Sequence, residues 1–442
     1  MRFVVLDMTR LPADWTESTL GAVADSFLSG GTPSTKNESF WKGTIPWITS
    51  KWINSRLYLD SGEKFISEAA VKQSATTIVP RNSLIFATRV GVGKVAVNRL
   101  DLAINQDLAG ILIDINRHDI RFLAYQLRSE RIQNTVSSYK RGATIQGIAR
   151  DNLRELEIHL PPLQEQQKIA AVLGLVQRAI EEQERMLALT SELKKTLLQK
   201  LFTEGLRGEP QKQTEIGPVP QSWASKTLGE IACKPHGFLQ TGPFGSQLHK
   251  HEYLTDGVGV VNPTHLWENR INHEEVPRVS PKTAARLDRH LLEVGDILFA
   301  RRGEIGRHGI VTKAEKGWLC GTGCFLVRIR HEDIDNRFLS YFFSTPGVTA
   351  WLNSHAAGAI MPNLNNTVLR SMPVFFPMQE EQIAIADCLD ATEQKLAIHQ
   401  HKHVVFAATF RTLLHELMTA QIRVHDLDLS KGEIDETAQK VQ

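Results

Sequence analysis

The first 232 residues contain no cysteine, and the whole chain of 442 has four. That scarcity excludes a disulfide framework and predicts a reducing, cytoplasmic setting. Long apolar runs are missing as well, since none approaches the roughly 20 residues of a membrane-spanning helix. The opening "MRFVVLDM" offers four apolar residues, Phe3 to Leu6, before Asp7, which predicts no secretory signal. Signatures of bond-making chemistry are equally scarce. "GVGK" at Gly91–Lys94 lacks the spacing of a G-x-x-x-x-G-K-[ST] phosphate loop. No Gly-rich dinucleotide fingerprint follows a clear strand, and neither H-E-x-x-H nor G-x-S-x-G occurs. "NPTH" at Asn262–His265 lacks the second Pro and the aromatic of a base-methylating Asn-Pro-Pro-aromatic loop. These absences point to a binder without chemistry of its own.

What is present begins with size and charge. A composition of 42% hydrophobic and 23% charged residues is that of a globular protein, and the length predicts two or three domains. The net charge of +2 is unevenly spread. Residues 1–150 carry 19 Lys+Arg against 13 Asp+Glu, and 211–366 carry 17 against 15. Residues 151–210 carry 8 against 10, and 367–442 carry 7 against 11. Basic blocks suited to a polyanion thus alternate with acidic ones.

The same order of phrases occurs twice. "DWTESTLGAVA" (Asp14–Ala24) matches "SWASKTLGEIA" (Ser222–Ala232), and "LIFATRVGVGK" (Leu84–Lys94) matches "ILFARRGEIGR" (Ile297–Arg307). "GATIQGIARDNLR" (Gly142–Arg154) matches "GAIMPNLNNTVLR" (Gly358–Arg370), and "LLQKLFTEGLR" (Leu197–Arg207) matches "LLHELMTAQIR" (Leu413–Arg423), both at an offset of 216. The chain is a tandem duplication. Each copy opens with about 150 residues punctuated by Gly, Pro, Asn and Ser, with β-like runs such as "TIPWIT", "SLIFAT", "KVAVNR" and "AGILIDI". The stretch "IRFLAYQLRSERIQNTVSSY", echoed by "RFLSYFFSTPGVTAWLNS", predicts an embedded helix, so each block reads as a mixed α+β domain.

Each copy then passes through "LPPLQEQQKIA" or "FFPMQEEQIAI" into a long helix. Proline at a helix start loses no backbone hydrogen bond, and the acid in the first turn suits the helix dipole. Ile169, Leu173, Val176, Ile180, Gln183, Leu187, Thr190, Lys194, Leu197 and Leu201 step by alternating fours and threes. Ile385, Leu389, Thr392, Leu396, His399, His403, Phe406, Phe410, Leu413 and Leu417 keep the same steps. A stripe with a period of about 3.5 residues predicts a coiled-coil seam in which the two helices pack together, with polar layers fixing register. His399 and His403, four apart, have the spacing of a metal pair but fall on that seam. Cys233, His236, Cys320 and Cys324 could form a Cys3His set, yet the first copy has no cysteine. Both groups are therefore read as structural, with no metal expected.

"FLSGGTPSTKNESFWKGTIPWITS" (Phe27–Ser50), "QTGPFGSQL" (Gln240–Leu248), the "LPPLQEQQKIA" helix start and the duplicated layout resemble the specificity (S) subunit of type I restriction-modification systems. The resemblance implies an α+β fold of two mixed α/β target recognition domains, joined by two long helices forming an antiparallel coiled coil with an internal pseudo-twofold repeat. The implied layout is recognition domain 1 over 1–160, a central helix over 161–207, recognition domain 2 over 208–376, a C-terminal helix over 377–423 and a polar tail over 424–442. Each domain would read one half of a split double-stranded DNA site. The rod would set the spacer and dock two modification (methyltransferase) subunits, with restriction (nuclease/translocase) subunits joining through them. S-adenosylmethionine, ATP and Mg would belong to those partners, leaving this chain non-catalytic and without a cofactor. "GPFGSQL" in place of "GGTPSTK" implies that the halves read unrelated sequences.

For DNA contact, Lys and Arg suit phosphates, whereas Arg, Asn, Gln, Ser and Thr suit base edges. The candidates in the first copy are Thr35, Lys36, Lys51, Arg89, Lys94, Lys140, Arg141, Thr144 and Gln146, all in polar, Gly-flanked loops. Those in the second are Ser246, Gln247, Lys250, Asn262, His265, Arg301, Arg302, Arg307, Asn363 and Asn365. Arg89 corresponds to Arg302 and Lys94 to Arg307 across the repeat. Three alternatives stay open: the recognition subunit of a related system cutting on both sides of its site, an enzyme with a divergent active site, and a coiled-coil adaptor that binds protein rather than DNA.

Overall fold

The computed structural model describes residues 11–139, 147–235, 237–244, 247–267, 269–356 and 363–424. Lys140, Arg141, Thr144, Gln146 and Ser246 lie outside the described residues, as do His236 and the tail from 425. The chain forms two compact units, one of Met1–Met186 with His399–Gln442 and one of Leu187–Ile398.

In the first unit a five-stranded sheet contains β1 (Ala24–Ser29), β2 (Tyr58–Leu59), β3 (Leu84–Ala87), β4 (Val95–Asn98) and β5 (Leu108–Ile113), in the order β1-β5-β3-β4-β2. The predicted runs in "SLIFAT", "KVAVNR" and "AGILIDI" are its three inner strands. β3 and β4 are buried at every position, which is why they read as continuous apolar runs without alternation. A second, four-stranded sheet pairs Ile45–Ile48 with Lys64–Ile66 and Leu102–Ile104. Helix α1 (Ile120–Arg128) covers the first sheet, capped by Asp119, whose carboxylate accepts from the Arg121 and Phe122 amides. The helix expected to run through Tyr139 breaks at Ser129, a buried residue in extended conformation (ψ 150°) that ends α1 before Glu130–Tyr139 begins.

Helix α2 (Leu163–Glu204) follows the repeated phrase. In the second unit the main sheet is β6 (Gly237–Thr241), β7 (Ile297–Ala300), β8 (His308–Ile310) and β9 (Cys324–Ile329), in the order β6-β9-β7-β8. This is the first unit's sheet without its edge strand β2. Helix α3 (Asn336–Phe343) is capped by Asp335 as α1 is by Asp119, and α4 (Gln379–Met418) closes the copy.

The duplicated phrases have duplicated jobs. In "TESTLG" and "ASKTLG" the strands Thr16–Thr19 and Ala224–Thr227 pair antiparallel with Glu157–Leu160 and Pro373–Phe376, the strands that lead into the long helices. In the helix-start phrase the second glutamine is the fastening. Gln166 is 2% exposed; its amide oxygen accepts from the Asp119 amide at 3.0 Å and its nitrogen donates to Pro161 at 2.9 Å. Gln382, fully buried, does the same with Asp335 and Pro377, and also reaches the Asp333 carbonyl at 2.8 Å. Each therefore ties the long helix to the cap of the domain helix.

All twenty seam positions of α2 and α4 are buried or half-buried, and none is exposed. Within the first unit Glu165 meets Arg423 at 2.7 Å while Gln183 meets His399 at 2.8 Å, so the two helix segments run antiparallel. Gln183 and His399 are repeat equivalents, and they form a polar layer of the seam at one of the two histidines with metal-pair spacing. His403 lies 3.5 Å from Glu184. Within the second unit Lys194 pairs with Glu393 at 2.9 Å, and Phe202 packs on Trp223 and Phe338 with ring centroids 5.9 and 5.1 Å away. Burying such a ring contributes about 1.5–3 kcal/mol. Cys320 and Cys324 are buried in strands, and burial raises both thiol pKa values. No helix among the described residues is long and apolar enough to cross a membrane.

Candidate nucleic-acid interface

The β3–β4 hairpin of the first unit and the β7–β8 hairpin of the second each present a seven-residue loop, Thr88–Lys94 and Arg301–Arg307. The Ala87 amide donates to the Lys94 carbonyl at 2.9 Å, and the Ala300 amide to Arg307 at 2.8 Å, so each loop closes at the same point. Gly93 (φ 96°) and Gly306 (φ 92°) occupy equivalent left-handed positions, which favour glycine. The next repeated phrase returns to the loop base in both units. Ile148 donates to Thr88 at 2.8 Å, and its equivalent Leu364 donates to Arg301 at 3.0 Å.

This construction brings part of the candidate set together. Arg302 pairs with Asn363 in an antiparallel bridge, and the Asn363 side-chain amide lies against the Arg301 and Leu364 carbonyls. Arg301, Arg302, Arg307 and Asn363 thus share one loop cluster, in which Arg302 is exposed. In the first unit Arg89 is exposed beside the Gly147–Ile148 return, which follows the undescribed residues 140–146.

Other candidates have their polar ends engaged inside the fold. Lys94 Nζ donates to the Ile53 carbonyl at 2.9 Å. Arg307 pairs with Glu304 at 2.7 Å, its guanidinium 5.0 Å from the Trp267 ring centre. Asn365 caps the helix Asn366–Ser371 by accepting from Val368 at 2.8 Å. His265 is buried and accepts from the Asn262 amide at 2.9 Å, and burial lowers its pKa. Asn262 and His265 face a hollow also lined by Glu274 and Glu275, whose charge repels phosphate. Gln247 accepts from the Phe244 amide at 3.0 Å. Thr35, Lys36, Lys51 and Lys250 are exposed in turns or at a helix start, apart in sequence from the two hairpins.

Sequence reasoning passed over Trp267, 54% exposed beside Arg307, and Val90, 52% exposed next to Arg89. An apolar residue left in solvent at a basic loop is visible only once burial is known.

The family model described as a type I restriction modification DNA specificity domain matches residues 12–189 and again residues 220–405. The MjaIX type I restriction enzyme specificity subunit of Methanocaldococcus jannaschii is 29% identical over 238 residues, 52% of this chain and 54% of that protein, so the match spans about half of that relative's length. The MjaVIII specificity subunit of the same organism is 22% identical over 430 residues, 95% of each chain. A crystal structure of a type I restriction-modification S subunit from M. genitalium has the same fold, with a TM-score of 0.60 and 18% identity over 93% of this chain and 98% of that one.

Proposed function

The chain belongs to the type I restriction-modification DNA specificity family, and from that premise we propose that it is the subunit that reads DNA sequence for such a system. Each unit reads one half of a bipartite site in double-stranded DNA. The antiparallel helices set the spacer and dock two modification subunits, through which restriction subunits join. The chain works in the cytoplasm and is itself non-catalytic, with S-adenosylmethionine, ATP and Mg bound by its partners.

The observation that carries this reading is the duplicated hairpin. Arg89 and Arg302 stand at the same point of the same loop in two units whose main sheets share four strands in the same order. Two exposed guanidiniums on hydrogen-bonded hairpins suit phosphate or guanine contacts, one per half-site. The adaptor reading lacks an explanation for that duplication.

Binding of the full chain to a DNA duplex should weaken steeply with salt, since each neutralised phosphate contributes about 0.9 to the log–log slope. Affinity independent of salt would contradict the reading. Calorimetry of the chain alone should show no micromolar binding of S-adenosylmethionine or ATP, and a measured site for either would place chemistry in this chain.

A further inference from the structure

Repeat-equivalent positions hold the same arginine and tyrosine in opposite states of satisfaction. In the second unit Arg337 Nη1 donates to Asp387 at 2.8 Å and to Asp390 at 2.9 Å. The Tyr341 hydroxyl donates to the other oxygen of Asp390 at 2.7 Å. In the first unit, at an offset of 216, Arg121 and Tyr125 take the places of Arg337 and Tyr341, while Ala171 and Gly174 replace Asp387 and Asp390. Arg121 grips Asp119 through Nε and Nη2, and Arg337 grips Asp335 through Nη2, so the remaining edge of Arg121 is Nη1.

That edge has no partner. Arg121 is 7% exposed and Tyr125 fully buried, yet neither Arg121 Nη1 nor the Tyr125 hydroxyl has a hydrogen-bond partner among the described residues. Beside them the Arg99 guanidinium lies 3.8 Å from the centre of the Tyr58 ring. All four side chains line one cavity of about 230 Å³, bounded on the helix side by Gly174 and Gln177. The volume is several times the roughly 30 Å³ of a water. Arg56 and Arg178 also face it, with Asp60 and Glu181 as its only lining carboxylates among the described residues. Once Asp119 is set against Arg121, a single positive charge is left over. Buried donors without acceptors are costly, and a charged acceptor relieves that cost most fully.

We propose that this cavity of the first unit binds a small oxyanion, a carboxylate or phosphate group whose oxygens take the place that the Asp390 carboxylate holds in the second unit. The anion accepts from Arg121 Nη1 and the Tyr125 hydroxyl, and so fastens α1 to α2 from inside. The inference stands apart from DNA reading, since it concerns the joint between domain and helix.

Thermal unfolding of the full chain in chloride, inorganic phosphate or acetate, at equal pH and ionic strength, tests it. The midpoint of the wild-type chain should rise with anion concentration in phosphate or acetate, and the anion that acts at lower concentration identifies the preferred group. Gly174→Asp supplies the missing carboxylate, so its midpoint should be higher in chloride and should no longer respond to either anion. Tyr125→Phe removes one donor and should weaken the apparent anion affinity about tenfold. No rise for either anion in the wild-type chain would overturn the proposal, as would an undiminished response in Gly174→Asp. Should Gly174→Asp fail to fold, an unchanged anion affinity in Tyr125→Phe overturns it equally.

Discussion

Gln166 and Gln382 make the same two hydrogen bonds at positions 216 apart, whereas the hairpins of their units read "TRVGVGK" and "RRGEIGR". The fastening of helix to domain is repeated almost atom for atom. The exposed loops keep their backbone closure and one arginine but exchange their other side chains. Arg301 stands where the first unit has Thr88, and Arg307, held by Glu304, stands where it has Lys94. Under the proposed function, such a difference in loops on a shared frame is what would let two units read different DNA while presenting the same joint to the long helices. The cavity beside Arg121 is the exception, a difference inside the joint itself.

The comparison breaks most readily at the joint. Gln382→Leu strands the Asp335 amide and two carbonyls in a buried site and should destabilise the chain by about 2–4 kcal/mol. Gln166→Leu strands one amide and one carbonyl and should cost less, about 1–3 kcal/mol. Denaturant midpoints measure both, and a negligible cost for either would mean that the repeated phrase is no clamp.

The loops sharpen the comparison on DNA. Arg302→Ala and Arg89→Ala should each weaken binding about tenfold and lower the salt slope by about one. Arg307→Ala should do less, since Glu304 already engages that guanidinium. Lys395→Ala, an exposed change on α4, should leave affinity and slope unchanged, so a salt titration that ranks Lys395 with Arg302 would contradict the assignment of the hairpins.

The duplication, the inner strands and the coiled-coil seam were legible in the sequence because each is a periodic signal: an offset near 216, continuous apolar runs and a stripe of fours and threes. What stayed hidden depends on where a polar side chain points. Asn365 and Arg302 both sit in polar loops of the second copy, yet one caps a helix and the other is exposed. Loop chemistry and cap chemistry draw on the same residue types. His265 read as a surface reader and is buried, because a single 3₁₀ turn, Pro263–His265, folds it inward. The break at Ser129 was masked by apolar residues that keep helical spacing on both sides of it. The oxyanion cavity could be seen only by comparing Asp390 with Gly174 after the fold had shown what Asp390 touches.

The most direct test of the central claim, that two units read two halves of one DNA site, is genome-wide mapping of methylated bases in cells with and without this chain. The account predicts one motif made of two unlike half-sites with a fixed spacer, methylated only when the chain is present, and a change in a single half-site when the loop Arg301–Arg307 is altered. A continuous motif, methylation that persists without the chain, or a loop change that alters both half-sites would contradict it.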